Sequence, residues 1–176
     1  METLSKGELK EFLIKNWMTH DALWFLHCLR EIGIETTNKI NRAASSELGL
    51  VEAKRFKKIV GIDEIKNTDD LKKLLKFIYD TIKGDFMKIS YEFIKDNEII
   101  SEMRQCFAHD GIKRIGVIEQ YQCGIYERIE GWYKGLGLKF DVNPQITGCL
   151  MQYDKKCVRY YKFSFPLNGS KEKLSG

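Results

Sequence analysis

Soft, reactive side chains are concentrated in the second half of this chain. Four of the five cysteines lie there, and a histidine follows the first of them by three residues. Thiols and imidazoles are the groups that bind metals, attack electrophiles and transfer protons. Their concentration predicts a chemical site, for which the candidate residues are Cys106, His109, Cys123, Cys149 and Cys157.

One interpretation of this set is a metal site for zinc or an iron–sulfur cluster. Cys106 and His109 form a C-x-x-H sequence at the end of a predicted strand, a spacing at which both side chains can reach one metal. Cys149 and Cys157 lie on either side of a predicted turn. Their positions in the alternation of the two predicted strands would place them on one face of the sheet. The alternative is that each thiol packs as a small buried hydrophobe.

A second interpretation is a thiol nucleophile. Such a thiol needs a pKa lowered by a neighbouring histidine or a helix N-terminus. Cys106 is the first candidate, because His109, Arg104 and Arg114 are close in sequence. Cys123 is the less favoured one, since it falls inside a predicted helix.

The elements that must position these residues change in type near Gly84. Before it, apolar residues recur at helical spacing, and after it they alternate as in half-buried strands. We predict an α+β fold in which about four N-terminal helices precede an antiparallel sheet of about four strands with one long inserted helix. The helices are predicted over 6–17, 19–32, 35–60, 68–83 and 115–135. The strands are predicted over 87–93, 99–106, 145–153 and 157–165, with a turn at 154–156 and a short extended piece over 138–142.

Composition limits the class of protein. At 176 residues and 43% hydrophobic content the chain suits one domain, predicted over 1–165, with a flexible tail over 166–176. The formal charge of +4 is too small to indicate nucleic acid as a partner. The apolar runs are too short for a membrane span and the N-terminus does not resemble a signal peptide. We therefore expect a cytoplasmic protein whose cysteines are free thiols or metal ligands.

The predicted second helix has an unusual outer face. Opposite a core face, it carries two tryptophans and two histidines at spacings of three and four: Trp17, His20, Trp24, His27 and Glu31. A solvated face seldom contains two tryptophans. This face either packs against another layer or a homodimer partner, or it lines a pocket in which the imidazoles act.

Five segments of the chain resemble known families. They are NWMTHDALWFLHCLREIGIETTNKIN, EAKR, RQCFAHDGIKRIG, YQCGIYERIEGWYKGLG and CLMQYDKKC. Together they resemble a family of small cytosolic proteins of unknown function. The region from Arg104 to Phe165 is also similar to the L-2-amino-thiazoline-4-carboxylic acid hydrolase family, and more distantly to the small-molecule-binding domain named for vinyl reductase. In the hydrolases a glycine tends to precede the last cysteine, whereas here the turn is Asp154-Lys155-Lys156.

These resemblances imply a pocket between an antiparallel sheet and its helices. Our first hypothesis is a cytosolic domain that binds a small organic ligand, with thiol or metal chemistry on the cysteines. The alternative enzyme is a thiol-dependent hydrolase of a cyclic C–N bond. In it Cys106 or Cys123 attacks the ring, His109 transfers the proton and Arg104 binds a substrate carboxylate. A third hypothesis is a non-catalytic protein that dimerises through the face of Trp17 and Trp24.

Overall fold

The structure, a computed structural model, describes residues 3–154 and 156–165. The fold is α+β, as predicted. Among the described residues, the helices include none with an apolar stretch sufficient to cross a bilayer. The elements in chain order are α1 (Lys6–Val60), α2 (Thr68–Ile82), β1 (Lys88–Lys95), β2 (Glu98–Gln105), α3 (Phe107–Arg114), α4 (Gly124–Gly135), β3 (Lys139–Asn143), α5 (Leu150–Asp154) and β4 (Cys157–Ser164).

Helix α1 joins the three helices predicted over 6–60 into one helix of 55 residues. It begins with a capping box between Ser5 and Glu8 and ends at Gly61, which adopts the left-handed conformation. The predicted boundary near residue 18 is absent because no helix-breaking residue lies there, and Thr19 bonds within the helix to the carbonyl of Lys15. The boundary at Gly33 survives as a kink, with φ 76° and ψ 170°.

The sheet is antiparallel with the strand order β1-β2-β4-β3. The predicted hairpin is confirmed, since β1 pairs with β2 along its length. The strand predicted over 145–153 is wrong: Gly148 makes an isolated bridge to Gln122, and Leu150 begins helix α5. Adjacent Leu150 and Met151 are both buried, which a strand with one buried face does not allow.

The fourth strand is instead β3, where only a short extended piece was predicted, and it pairs with β4. Strand β4 matches the predicted strand 157–165 to within a residue. Lys155, in the predicted turn, and the predicted tail 166–176 lie outside the described residues.

The long inserted helix is shorter than predicted. It begins at Gly124 rather than near 115, and the predicted loop around His109 forms helix α3. Gly116, with φ 77°, follows the end of α3 and separates the two helices. Position 123 therefore lies before α4 rather than inside it, which changes the surroundings of its thiol.

Helix α4 lies between the sheet and α1. On one side the Tyr133 ring packs against the rings of Tyr161 and Phe163, with centroids 5.1 and 4.9 Å away. On the other side α4 meets the second half of α1 so closely that Gly131 and Gly49 touch through their backbones. This three-layer packing leaves the N-terminal ends of α3, α4 and α5 beside the same end of the sheet.

Candidate functional site

Four cysteines from four separate segments line one cavity. Cys106, Cys123, Cys149 and Cys157 share it with His109, so the structure brings together all five candidate residues. The remaining lining residues are mostly apolar or aromatic: Met103, Ala108, Tyr121, Ile125, Tyr126, Gly148, Leu150, Met151 and Arg159. The cavity volume is about 10 Å³, which is about the space that one water molecule requires.

Three of the four cysteines stand at the start of a helix. Cys106 is the N-cap residue of α3, Cys123 is the N-cap residue of α4, and Cys149 directly precedes α5. The interior helical position predicted for Cys123 is therefore wrong. Cys157 is the first residue of β4 and lies opposite Met103 of β2. The ends of secondary-structure elements thus position every thiol of the cavity.

A buried asparagine of α1 fixes the segment that leads into Cys123. The Asn38 amide donates to the carbonyl of Gln120 over 2.7 Å, and its carbonyl oxygen accepts from the backbone N–H of Gln122 over 3.1 Å. Cys123 then donates its own backbone N–H to the carbonyl of Thr147 over 2.7 Å. These bonds tie the 120–123 segment to α1 on one side and to the 146–149 segment on the other.

Replacing Asn38 by alanine should therefore loosen the cavity wall. We expect a loss of about 1–3 kcal/mol in the free energy of unfolding, because two backbone groups lose their buried partner. Hydrogen exchange should speed up at Gln122 and Cys123 while the β1–β2 hairpin keeps its protection. Replacement of exposed Lys39 by alanine is the control. Unchanged exchange at Gln122 in the Asn38 variant would contradict the role given to this amide.

Burial governs the protonation of the thiols. It raises the pKa of Cys106 and of Cys157 to about 12, and it also raises the pKa of Cys123 and of Cys149. Backbone N–H groups of α3 lower the Cys106 pKa and those of α4 lower the Cys123 pKa, without reversing the effect of burial. The four groups are thus neutral thiols at pH 7 when nothing is bound.

His109 and Arg104 differ in their placement. The His109 side chain is mostly buried at the cavity, and its Nδ1 lies 2.9 Å from a carboxylate oxygen of Asp110. Arg104 lies at the end of β2 with 72% of its side chain exposed, and it bonds to Glu102. It lines neither the cavity nor the neighbouring cleft, so the structure does not bring this predicted site residue to the thiols.

Arg159 is the functional candidate that the sequence reading missed. It is 4% exposed and lines the thiol cavity, and its guanidinium lies 4.3 Å from the centre of the Tyr126 ring. It donates to a carboxylate oxygen of Glu130 over 2.9 Å and to the carbonyl of Ile146 over 2.7 Å. The alternation of residues along the predicted last strand could have identified it. Arg159 lies on the same inward face of β4 as Cys157 and Tyr161.

A larger polar cleft adjoins the thiol cavity. Its volume is about 230 Å³, and Cys123, Tyr126 and Arg159 line both spaces. The other lining residues comprise one further arginine, two glutamates, a valine of β3 and the loop before α5: Arg42, Glu127, Glu130, Val142, Gln145, Ile146 and Thr147. The cleft therefore combines two positive and two negative side chains with a small apolar wall.

The charged groups of the cleft form two ion pairs. Arg42 donates to Glu127 Oε1 and, over 3.0 Å, to the side chain of Gln122. Arg159 pairs with Glu130 Oε1, which also accepts from the Tyr161 hydroxyl over 3.3 Å. Burial is the main cause that raises the pKa of Glu130, and the Arg159 charge opposes it. Each glutamate uses one oxygen in these bonds, so a second oxygen remains as an acceptor.

The outer face of α1 lies elsewhere. His20, Trp24 and His27 are exposed, and none of them lines the cavity or the cleft. His20 accepts a hydrogen bond from the Trp24 indole over 3.1 Å. Trp17 instead packs inward, with the Arg128 guanidinium 4.5 Å from its ring centre. The two histidines therefore do not join the cysteine site.

No preformed single-ion site exists in residues 3–154 and 156–165. Within them no three side chains of histidine, cysteine, aspartate or glutamate are grouped so that they could hold a metal ion as they stand. The cysteines line the same cavity without converging on one point. A metal would have to draw the thiols together.

Fold and site define an α+β protein with a sulfur-lined cavity beside a charged cleft. The chain belongs to the "Family of unknown function (DUF6125)", whose family model matches residues 2–160. The expected resemblance to a family of unknown function is thereby confirmed. No curated protein matches this chain, and no solved structure matches it.

Proposed function

We propose that this protein binds a small zwitterionic organic molecule, such as an amino acid or a related compound, in the cleft beside the thiol cavity. The observation that carries the proposal is the pairing of two arginines with two glutamates around a cleft of about 230 Å³. Guanidinium groups recognise carboxylates, and carboxylates recognise ammonium groups. A cleft of this size suits a ligand with few non-hydrogen atoms.

Arg159 supports this proposal most directly. Its Nε is buried and has no hydrogen-bond partner among the described residues. A buried donor without an acceptor is unfavourable, so an acidic group of a ligand that reaches it would gain a charged hydrogen bond. The apolar contribution comes from Val142 and Ile146, on the side of the cleft formed by β3 and the following loop.

Ligand binding by variants of Arg159 tests the proposal. Thermal unfolding and calorimetry with α-amino acids, matched carboxylic acids and matched amines as probes should show stabilisation by the amino acids. We expect Arg159→Lys to weaken that binding roughly 10- to 100-fold, since one or two charged hydrogen bonds are lost. The control is Arg104→Lys, outside the cleft, which should bind as wild type does. Equal weakening in both variants, or no stabilisation by any probe, would sink the proposal.

Thiol-dependent hydrolysis is the second candidate function, and one observation favours it. Cys123 lines both the cavity and the cleft, so a ligand in the cleft would lie against its thiol. A nucleophilic attack needs the thiolate, whereas burial raises the pKa of this cysteine. Ligand binding without attack is therefore the proposal that we favour. In the hydrolase version Cys123 replaces Cys106 as nucleophile, and Arg159 replaces Arg104 as the carboxylate anchor.

Self-association through α1, the third hypothesis, is compatible with ligand binding, and the exposed apolar residues of this helix support it. Leu9, Phe12, Leu13, Leu23 and Trp24 are all exposed on the first half of the helix, and Trp24 is 62% exposed. Exposed apolar groups in such number are typical of contact surfaces. This surface is distinct from the cleft, so a homodimer formed through it would leave ligand binding unaffected.

A further inference from the structure

We propose that the ligand of the cleft is a dicarboxylic α-amino acid, the class that includes aspartate and glutamate. This inference rests on the proposed function and names the class of its ligand. Arg159 binds the α-carboxylate, Arg42 binds the side-chain carboxylate, and Glu127 and Glu130 together bind the ammonium group. The observation behind it is the order of the four charges across the cleft, which is positive, negative, negative, positive.

The fold sets this order of charges. Glu127 and Glu130 are three residues apart on α4, so both side chains lie on the same side of that helix. Arg42 reaches Glu127 from α1, and Arg159 reaches Glu130 from β4. Because α4 lies between α1 and the sheet, the two arginines approach the glutamates from opposite sides. The cleft therefore has a guanidinium at each end and two carboxylates between them.

The two carboxylates suit a cation that lies between them. Each uses only its Oε1 atom in its ion pair, and just 19% of the Glu127 side chain and 15% of the Glu130 side chain are exposed. Burial raises the pKa of Glu130, and the nearby Glu127 charge raises it further, so the two groups repel each other. An ammonium group would donate to the two remaining oxygens and offset that repulsion.

Both arginines retain N–H groups for the acidic groups of a ligand. Arg159 is 4% exposed, and its Nε has no partner among the described residues. Three of the five N–H groups of Arg42 donate to Glu127 and Gln122, and 33% of this side chain is exposed. A ligand with one carboxylate leaves one arginine unused, whereas two carboxylates joined by a short chain engage both.

The difference in burial assigns the two carboxylates of the ligand. The α-carboxylate lies beside the ammonium group, so burying this pair of opposite charges costs less than burying a carboxylate alone. The paired end therefore lies at buried Arg159. The side-chain carboxylate, which has no positive neighbour of its own, lies at the more exposed Arg42.

The net charge around the cleft agrees with such a ligand. The two arginines and two glutamates cancel, while the ligand carries two negative charges and one positive charge. Lys134, one turn after Glu130 on α4, adds a positive charge that opposes the effect of burial on the pKa of Glu130. This excess of positive charge favours a ligand whose own net charge is negative.

Calorimetry of the full chain with matched acids and amides tests the class of ligand. The probes are aspartate against asparagine and glutamate against glutamine, pairs that differ only in the side-chain carboxylate. We expect at least one acid to bind roughly tenfold more tightly than its amide, because it gains a charged hydrogen bond to Arg42. Glutarate has two carboxylates but no ammonium group, so it should bind more weakly than glutamate. These comparisons require no variant to fold.

The variant Arg42→Gln identifies the residue that distinguishes acid from amide. In it the acid should lose roughly tenfold in affinity and the amide far less, so that the two bind alike. The control is Arg30→Gln, at an exposed arginine of α1 outside the cleft, which should preserve the advantage of the acid.

The outcomes separate this inference from the proposed function. Equal binding of acid and amide by the wild type overturns the inference and leaves amino-acid binding standing. Parallel weakening of acid and amide in Arg42→Gln also overturns it, because Arg42 would then hold the part of the ligand that both share. Failure of every amino acid to bind overturns the proposed function together with this inference.

Discussion

Replacing Gly131 by alanine should destabilise the protein by about 2–3 kcal/mol, at the upper end for an overpacked core. A Cβ at this position would lie 2.5 Å from the backbone oxygen of Ser46 and 3.1 Å from the Cα of Gly49. The obstructing atoms belong to the backbone of α1, so no side chain can turn away. The two helices would have to separate along their whole contact.

The small residues along this contact explain the size of the expected effect. Gly49 is the more crowded partner, since its Cβ would lie 2.3 Å from the Arg128 carbonyl oxygen. One turn further on, a Cβ at Gly135 would lie 2.7 Å from that of Ala53. Helices normally pack with their axes about 8–10 Å apart, and glycines permit the low end of that range. A side chain added at Gly49, Gly131 or Gly135 would therefore disturb the same contact between α1 and α4.

Chemical denaturation measures the effect. The matched control is Gly111→Ala in helix α3, where an added Cβ would meet no atom within 4 Å and φ is not positive. That control should be neutral or stabilising by up to about 1 kcal/mol, because alanine favours the helix more than glycine does. A Gly131→Ala protein as stable as the Gly111 control would show that α1 and α4 do not pack as described.

The second large effect is expected at Glu52, whose replacement by alanine should cost about 3–5 kcal/mol. Its carboxylate accepts two hydrogen bonds from Arg128, over 2.6 and 2.7 Å, and a third from the Trp132 indole over 2.8 Å. Only 11% of each of the two charged side chains is exposed. Removal of Glu52 leaves the Arg128 charge buried without its partner.

A double-variant cycle separates the pair from the unpaired charge. With leucine at both positions, the double variant Glu52→Leu and Arg128→Leu should regain part of the loss of the single variant Glu52→Leu, since replacing both members of a buried pair by apolar groups is often neutral. The Trp132 indole still lacks its acceptor in the double variant. Asp80→Ala provides the exposed comparison, because its pair with Lys76 lies on the surface. That change should cost less than about 1 kcal/mol. Additive losses in the double variant would show that the Glu52–Arg128 contact contributes nothing in solution.

The general fold followed from residue patterns because each pattern is local. Alternation over 87–93 predicted β1, and Gly61 predicted the end of α1. The sequence could not exclude a division of α1 near residue 18. Helical spacing of apolar residues is the same in one long helix and in two short consecutive ones. Ile14, before the predicted division, and Met18, at the division itself, are both buried and pack in one small cluster with Met87.

The candidate site was predictable in its thiols but not in its polar partners. The chain has only five cysteines, so four of them in its second half predicted a common site. Arg159 is one of 29 lysines and arginines, and nothing in its immediate sequence distinguishes it. Its role depends on the inward face of β4, and the correct neighbours of β4 depend on β3, which the sequence showed only as a short extended piece. Cys149 was assigned to a strand because QITGCLMQY is rich in apolar residues. The short helix there depends on tertiary burial of Leu150 and Met151.

The kink at Gly33 divides α1 into two parts, and the torsion angles of this one residue set the angle between them. Twenty-seven helical residues precede it, a length of about 40 Å at 1.5 Å per residue, so a swing of 10° would displace the far end by about 7 Å. Any side chain at this position would be strained, since φ is 76°. Contacts along its length hold this segment: Ile14 and Met18 pack on Met87, Trp17 lies against Arg128, and Phe25 packs on Tyr121 in the main core. The direction in which the exposed Trp24 points therefore depends on Gly33 and on the core contact of the adjacent Phe25.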